Sequence, residues 1–181
     1  MLQGKLVRLR ANEREDLPNY LRWVNDPDIL LYFGTYLPYN MDKEVAWFEH
    51  MNQDDSVINF AIEYEGQHVG GCGLLKINHR NQSAEVGLFI GEKSLWDKGL
   101  GQDTLRTLLD YGFDQLNLHR IYLRVIAENA RGVHAYEKVG FVHEGRLRED
   151  VWRHGHWQDM LIMSVLRHEW YAKREEAAGR Q

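Results

Sequence analysis

Cysteine is nearly missing from this chain of 181 residues. Cys72 stands alone, which excludes an internal disulfide and points to a reducing compartment, so the cytoplasm is expected. Metal-site spacing is missing too. His154 and His156 have neither a cysteine pair nor a recognised zinc pattern beside them, and no metal is expected. No apolar run approaches membrane-spanning length and residues 1–5 have no signal-type apolar core, so a soluble protein with no membrane partner is expected. Basic residues form no run and the formal net charge is −5. That balance leaves no electrostatic footprint for nucleic acid and leans, if anywhere, towards a cationic partner. Repeats, low-complexity segments and linkers are absent, and 44% of residues are hydrophobic. We therefore expect one domain over residues 1–170 with a charged tail at 171–181.

Periodicity orders what is present. Residues 5–10 alternate as a strand, and Asn12 with Glu15 resembles a capping box opening a helix that runs to Trp23 and stops at Asn25, Asp26 and Pro27. A second helix is expected at 42–52. Residues 30–39, with Tyr32, Phe33, Tyr36 and Tyr39, are too aromatic for an ordinary solvated loop. Together with Trp23 and Trp47 they are candidates for the wall of a substrate pocket, although most such aromatics simply pack. Strands at 57–64, 69–77 and 83–91 form an antiparallel meander. After Gly99, Leu105, Leu108, Leu109, Phe113 and Leu116 recur at helical spacing and must face a sheet. A buried strand at 121–126, a short helix at 130–138 closed by Gly140, and two strands at 141–151 and 158–166 follow. The tail after Arg167 reads as a fraying helix.

The sequence Trp96-Asp97-Lys98-Gly99-Leu100-Gly101-Gln102 sits between a strand and a helix. Two glycines one residue apart at a helix start let the backbone approach a ligand, and the free N–H groups there suit a phosphate. Thr104 stands where a dinucleotide fingerprint needs its third glycine, and no nucleoside-triphosphate loop occurs. A bend-forming role alone would explain the same glycines. In strand 83–91, alternation puts Ala84, Val86, Leu88 and Ile90 on one face, and Glu85, Gly87, Phe89 and Gly91 on the other. The two glycines would leave a groove beside the carboxylate, which then acts as an acid or base or pairs with a basic residue. Tyr136, one turn after Val133, reads as a core aromatic. Asn129 reads as the N-cap of its helix, and Cys72 as a small buried hydrophobe.

This element order, with the motif at 96–102 and Asn129-Ala130-Arg131-Gly132-Val133-His134-Ala135-Tyr136-Glu137-Lys138-Val139-Gly140-Phe141, resembles the GNAT superfamily of acetyl-CoA-dependent N-acetyltransferases from about Leu6 to Trp170. Within it the chain looks most like ribosomal-protein N-terminal and spermidine acetyltransferases. The resemblance implies an α/β fold, α+β in some schemes, with a mixed, mostly antiparallel sheet of about six or seven strands splayed at its centre and helices on both faces. It further implies acetyl-CoA as co-substrate, its pyrophosphate held by the loop comprising Trp96, Lys98, Gly99, Leu100, Gly101 and Gln102. Many members have Gln or Arg in place of Trp96, a departure that leaves the pyrophosphate to backbone contacts. Backbone groups of Phe89 and Ile90, and the Asn129 side chain, would meet the pantetheine arm. Glu85 would take the amine proton through water and Tyr136 would protonate the leaving thiolate. The acceptor is a primary amine, with the α-amino group of a protein or peptide placed first. A neutral α-amine is a few hundred-fold more abundant than a neutral lysine near pH 7, given reference values of about 7.7–8.0 and 10.4. A polyamine is the alternative, although residues 32–37 lack the acids that polyamine enzymes carry there. A non-catalytic acyl-CoA sensor is the further alternative, and a homodimer is left open.

Overall fold

A computed structural model describes residues 1–31, 37–51 and 53–179. Its strands are β1 (Leu2–Gln3), β2 (Arg8–Arg10), β3 (Ile58–Tyr64), β4 (Gln67–Asn78), β5 (Ser83–Ile90), β6 (Arg120–Ile126), β7 (Val142–Arg153) and β8 (His156–Leu166). They form one eight-stranded sheet in the order β1-β2-β3-β4-β5-β6-β8-β7. Among the described residues only β5 and β6 pair in parallel; every other pairing is antiparallel. The helices are α1 (Leu17–Val24), α2 (Pro27–Leu30), α3 (Met41–Met51), α4 (Leu100–Asp110), α5 (Ala130–Val139) and α6 (Arg167–Ala178).

The strand count exceeds the expected number because Leu2–Gln3 forms a short strand ahead of the expected first one, which shortens from 5–10 to Arg8–Arg10. The buried carboxylate of Asp103, in the first turn of α4, accepts hydrogen bonds from the backbone N–H groups of Lys5 (3.1 Å), Leu6 (2.7 Å) and Val7 (3.0 Å). That commits residues 5–7 to a turn between two short strands. The capping box also moves by one residue. Glu13 and Asp16 form it, while Asn12 accepts from the Tyr20 hydroxyl at 2.7 Å. At the other end, residues 152–157 tighten into a hairpin whose turn residues His154 and Gly155 both have positive φ, 48° and 81°, the pair of values that matches the right-handed twist of the flanking strands.

Alternation along β4 and β5 assigns each helix to a face. Leu88 lies 3.5 Å from the ideal Cβ position of Gly101, so α4 covers the Cys72 and Leu88 side. There Leu100, Leu105, Leu108 and Leu109 are 2% exposed or less, each contributing about 1.5–3 kcal/mol on burial. Val139 of α5 and Trp170 of α6 join the same core. The first turn of α6 is pinned, its Trp170 indole donating to Asp110 at 2.8 Å, and Tyr171 donating to Asp114 at 2.9 Å. On the opposite side, α1 lies against glycines. A Cβ on Gly71 would stand 2.9 Å from Tyr20, and one on Gly91 only 2.1 Å from Trp23. Gly91 therefore seats an aromatic ring rather than widening a groove.

Candidate active site

Strands β5 and β6 run together for three residue pairs, Ser83 with Arg120, Ala84 with Ile121 and Glu85 with Tyr122, and then separate. Both strands continue past the last pair, β5 to Ile90 and β6 to Ile126, so the sheet opens into a V with Glu85 at its apex. A cleft of about 1050 Å³ fills the opening. Its lining brings together Glu85, Phe89, Ile90, Trp96, Gly99, Leu100, Gly101, Gln102, Asn129 and Tyr136. Lys98 is the one expected residue that does not line it. The aromatic stretch Tyr32, Phe33 and Tyr36 lies outside the described residues, while Tyr20, Trp23 and Trp47 form a cluster beneath Phe89.

At one end of the cleft, Gly99 caps α4 with φ of 83°, a left-handed conformation that disfavours any side chain. Asp103 N–H bonds back to Gly99, leaving the preceding N–H groups of Leu100, Gly101 and Gln102 with no carbonyl to accept them among the described residues. Gly101 has ordinary backbone geometry, and its ideal Cβ would meet only Leu88, at ordinary contact distance. Protein packing does not require glycine there. A ligand lying on the helix start would, and the N–H groups together with the positive end of the helix dipole suit an anion.

Ile90 and Trp96 are coupled, since the Trp96 indole donates to the Ile90 carbonyl at 2.8 Å. This carbonyl is thus already engaged within the chain. Asn129 does cap α5, its Oδ1 accepting from Gly132 N–H at 3.0 Å, and its amide NH2 has no acceptor among the described residues. Tyr136 packs edge-on against Phe141, with centroids 5.9 Å apart. Burial pushes its phenol up to about 12, so the hydroxyl keeps its proton across the neutral range, and no protein group among the described residues bonds it. Glu85 is held by Lys76, whose Nζ lies 2.7 Å from Oε2. Nothing local in the sequence announces this pair. It arises because a bulge in β4, with Lys76 at φ of 50°, turns that side chain towards the neighbouring strand. Cys72 is buried, and burial pushes its thiol up, which keeps it an inert hydrophobe.

A splayed mixed sheet, with a glycine-capped helix at the split and a tyrosine on the next helix, is the architecture of an acyl-CoA-dependent transferase. The chain matches the acetyltransferase (GNAT) domain over residues 7–142, and it belongs to that family. It is 32% identical over 171 residues to the spermidine N(1)-acetyltransferase of Escherichia coli K12, covering 93% of this chain and 90% of that one. The crystal structure of the spermidine N-acetyltransferase of Vibrio cholerae in complex with CoA and spermine superposes with a TM-score of 0.86 at 33% identity, over 93% of this chain and 99% of that chain. The same Vibrio enzyme has also been solved as a dodecamer. Bacillus subtilis YdaF, which carries the name of a ribosomal N-acetyltransferase, is 28% identical over 94% of this chain and 88% of its own. The protein is an N-acetyltransferase that uses acetyl-CoA.

Proposed function

We propose that this enzyme acetylates a small polycationic amine of the spermidine type, rather than the protein α-amino group that the sequence puts first. The observation that carries the reading is the set of carboxylates at the cleft, Asp28, Glu85, Asp97 and Asp150. Asp28, Glu85 and Asp150 are held by Lys93, Lys76 and Arg124 respectively, and Asp97 has no ion-pair partner among the described residues. An amine carrying several positive charges can take over such contacts without leaving any carboxylate unpaired. The likeness to spermidine acetyltransferases over nearly the whole chain supports the same choice, and multimeric assembly beyond a dimer is in keeping with the dodecameric relative.

In this reading the first turn of α4 holds the pyrophosphate and Asn129 steadies the pantetheine arm with its free amide. When bound, acetyl-CoA supplies an activated thioester carbon. Glu85 accepts a proton from the attacking amine through water, backbone N–H groups polarise the carbonyl, and Tyr136 delivers its proton to the sulfur as the C–S bond breaks and the C–N bond forms. The test is a competition among spermidine, free-N-terminus peptides and N-terminally blocked lysine peptides at equal concentration. Mass spectrometry should find spermidine labelled in preference; preferential labelling of peptide α-amines would overturn the acceptor and leave the transferase intact.

A further inference from the structure

Trp96 departs from the residues common at its position in the family, and its surroundings give that departure a purpose. Its ring belongs to the cluster of Tyr20, Trp23 and Ile29 on the α1 side, and its indole N–H is fixed on Ile90. The guanidinium of Arg131, from the first turn of α5 on the other side of the sheet, lies over that ring at 3.8 Å from the centroid. Both residues line the cleft. Arg131 has no carboxylate and no hydrogen-bond acceptor among the described residues, whereas Arg124, which lines the same cleft, is paired with Asp150. A guanidinium stacked on an indole keeps all its in-plane N–H donors available, and stacking restricts the rotamers it must lose on binding an anion.

We infer that Arg131 is a phosphate-recognising residue for CoA and that Trp96 acts as its positioning platform. The inference rests on the acetyl-CoA reading of the cleft. The guanidinium comes from α5 and is held in place from position 96. Planar donors of this kind bind phosphate oxygens in pairs, which a flexible lysine does less selectively.

Calorimetry on the intact protein separates this inference from the reading beneath it. Binding of CoA to the unaltered protein tests the site; only the variants test Arg131. Arg131→Met, on the exposed side of α5, should weaken CoA about tenfold to a hundredfold, as expected for losing charge-assisted hydrogen bonds. It should also flatten the salt dependence of affinity and leave binding of phosphate-free pantetheine unchanged. Dephospho-CoA locates the contact: an equal loss with it assigns the pyrophosphate, a loss confined to CoA assigns the 3′-phosphate. Trp96→Leu should weaken CoA comparably, and the double variant should be little worse than either single one. Trp96→Phe retains a ring and should retain most of the affinity. CoA affinity unchanged in folded Arg131→Met overturns the inference. Fully additive losses from Arg131→Met and Trp96→Leu overturn the role of the platform.

Discussion

On the α4 side of the sheet, aliphatic side chains from β4, β5, β6 and β8 meet α4 in one continuous core, whereas the α1 side rests on a small aromatic cluster and a buried ionic network. In that network the Arg10 guanidinium forks onto Asp16 at 2.7 and 2.8 Å, and His68 Nδ1 stands 3.1 Å from the same carboxylate. Aliphatic packing is non-directional and indifferent to pH. The ionic network is directional, so α1 is placed by a few specific partners whose charges titrate. The end of the cleft proposed to hold the cofactor is built on the first kind of material; Glu85 and Phe89 face the second. Arg131 on Trp96 spans the two.

Chemistry should expose the sharpest contrast. Tyr136 comes from the α4 side and, in the proposed mechanism, protonates the thiolate, so Tyr136→Phe should lower turnover by about 10²–10⁴ while packing and CoA affinity stay close to their starting values. Steady-state rates with spermidine, set beside calorimetric CoA binding, measure both. Turnover equal to that of the unaltered enzyme would reduce Tyr136 to a core aromatic.

The α1 side should instead reveal itself through pH. Burial lowers the His68 imidazole, and the nearby Arg10 adds to this, against opposing contributions from Asp16, the Gly70 carbonyl and Glu92; the net direction is below the ordinary value near 6.5. A histidine whose folded value is depressed binds protons more readily when unfolded. Its contribution is therefore present above pH 6.5 and is lost as pH falls from there through the folded value. Asp16 adds a second loss at lower pH. Burial pushes it up, but the Arg10 hydrogen bonds, the Glu13 N–H and His68 outweigh that and hold it below the usual carboxylate range, so its contribution goes as pH falls from about 3.9 through its folded value. Urea unfolding should show stability declining from pH 7 to 5, and His68→Gln should flatten that decline whatever its effect at pH 7. An unchanged slope would mean the network does not titrate as a unit.

What the sequence made legible follows the same division. The leucines of α4 and the N-cap and C-cap residues of α5, Asn129 and Gly140, are local signals, governed by spacing along one helix, and they place the cleft's cofactor end. The features that escaped are long-range. Asp103 binds N–H groups 96 to 98 residues away, Gly91 is small because Trp23 occupies its space, and Lys76 reaches Glu85 only through a bulge. Periodicity contains no information about any of them. Trp170 belongs with this group, for a charged tail looks frayed until its indole is seen donating to Asp110.

The smallest effect discriminates best between glycine as bend and glycine as cradle. Gly99 has a positive φ and Gly101 does not, so the two glycines of the loop should respond to alanine with opposite signs of stability. Gly99→Ala forces a side chain into the left-handed region and should destabilise the fold by about 1 kcal/mol. Gly101→Ala places a Cβ at an ordinary 3.5 Å from Leu88 and removes a flexible residue from a helix, so it should stabilise by about 0.5–1 kcal/mol, roughly 1–4 °C in Tm for a chain of this size. If a pyrophosphate lies on this helix start as proposed, the same methyl would crowd it, so CoA affinity should fall as Tm rises. Thermal unfolding without ligand and calorimetry with CoA read the two signs separately. A Gly101→Ala protein that gains stability and binds CoA undiminished would show that the phosphates keep clear of this turn, and the cofactor end of the cleft would have to be redrawn around Arg131 and Asn129.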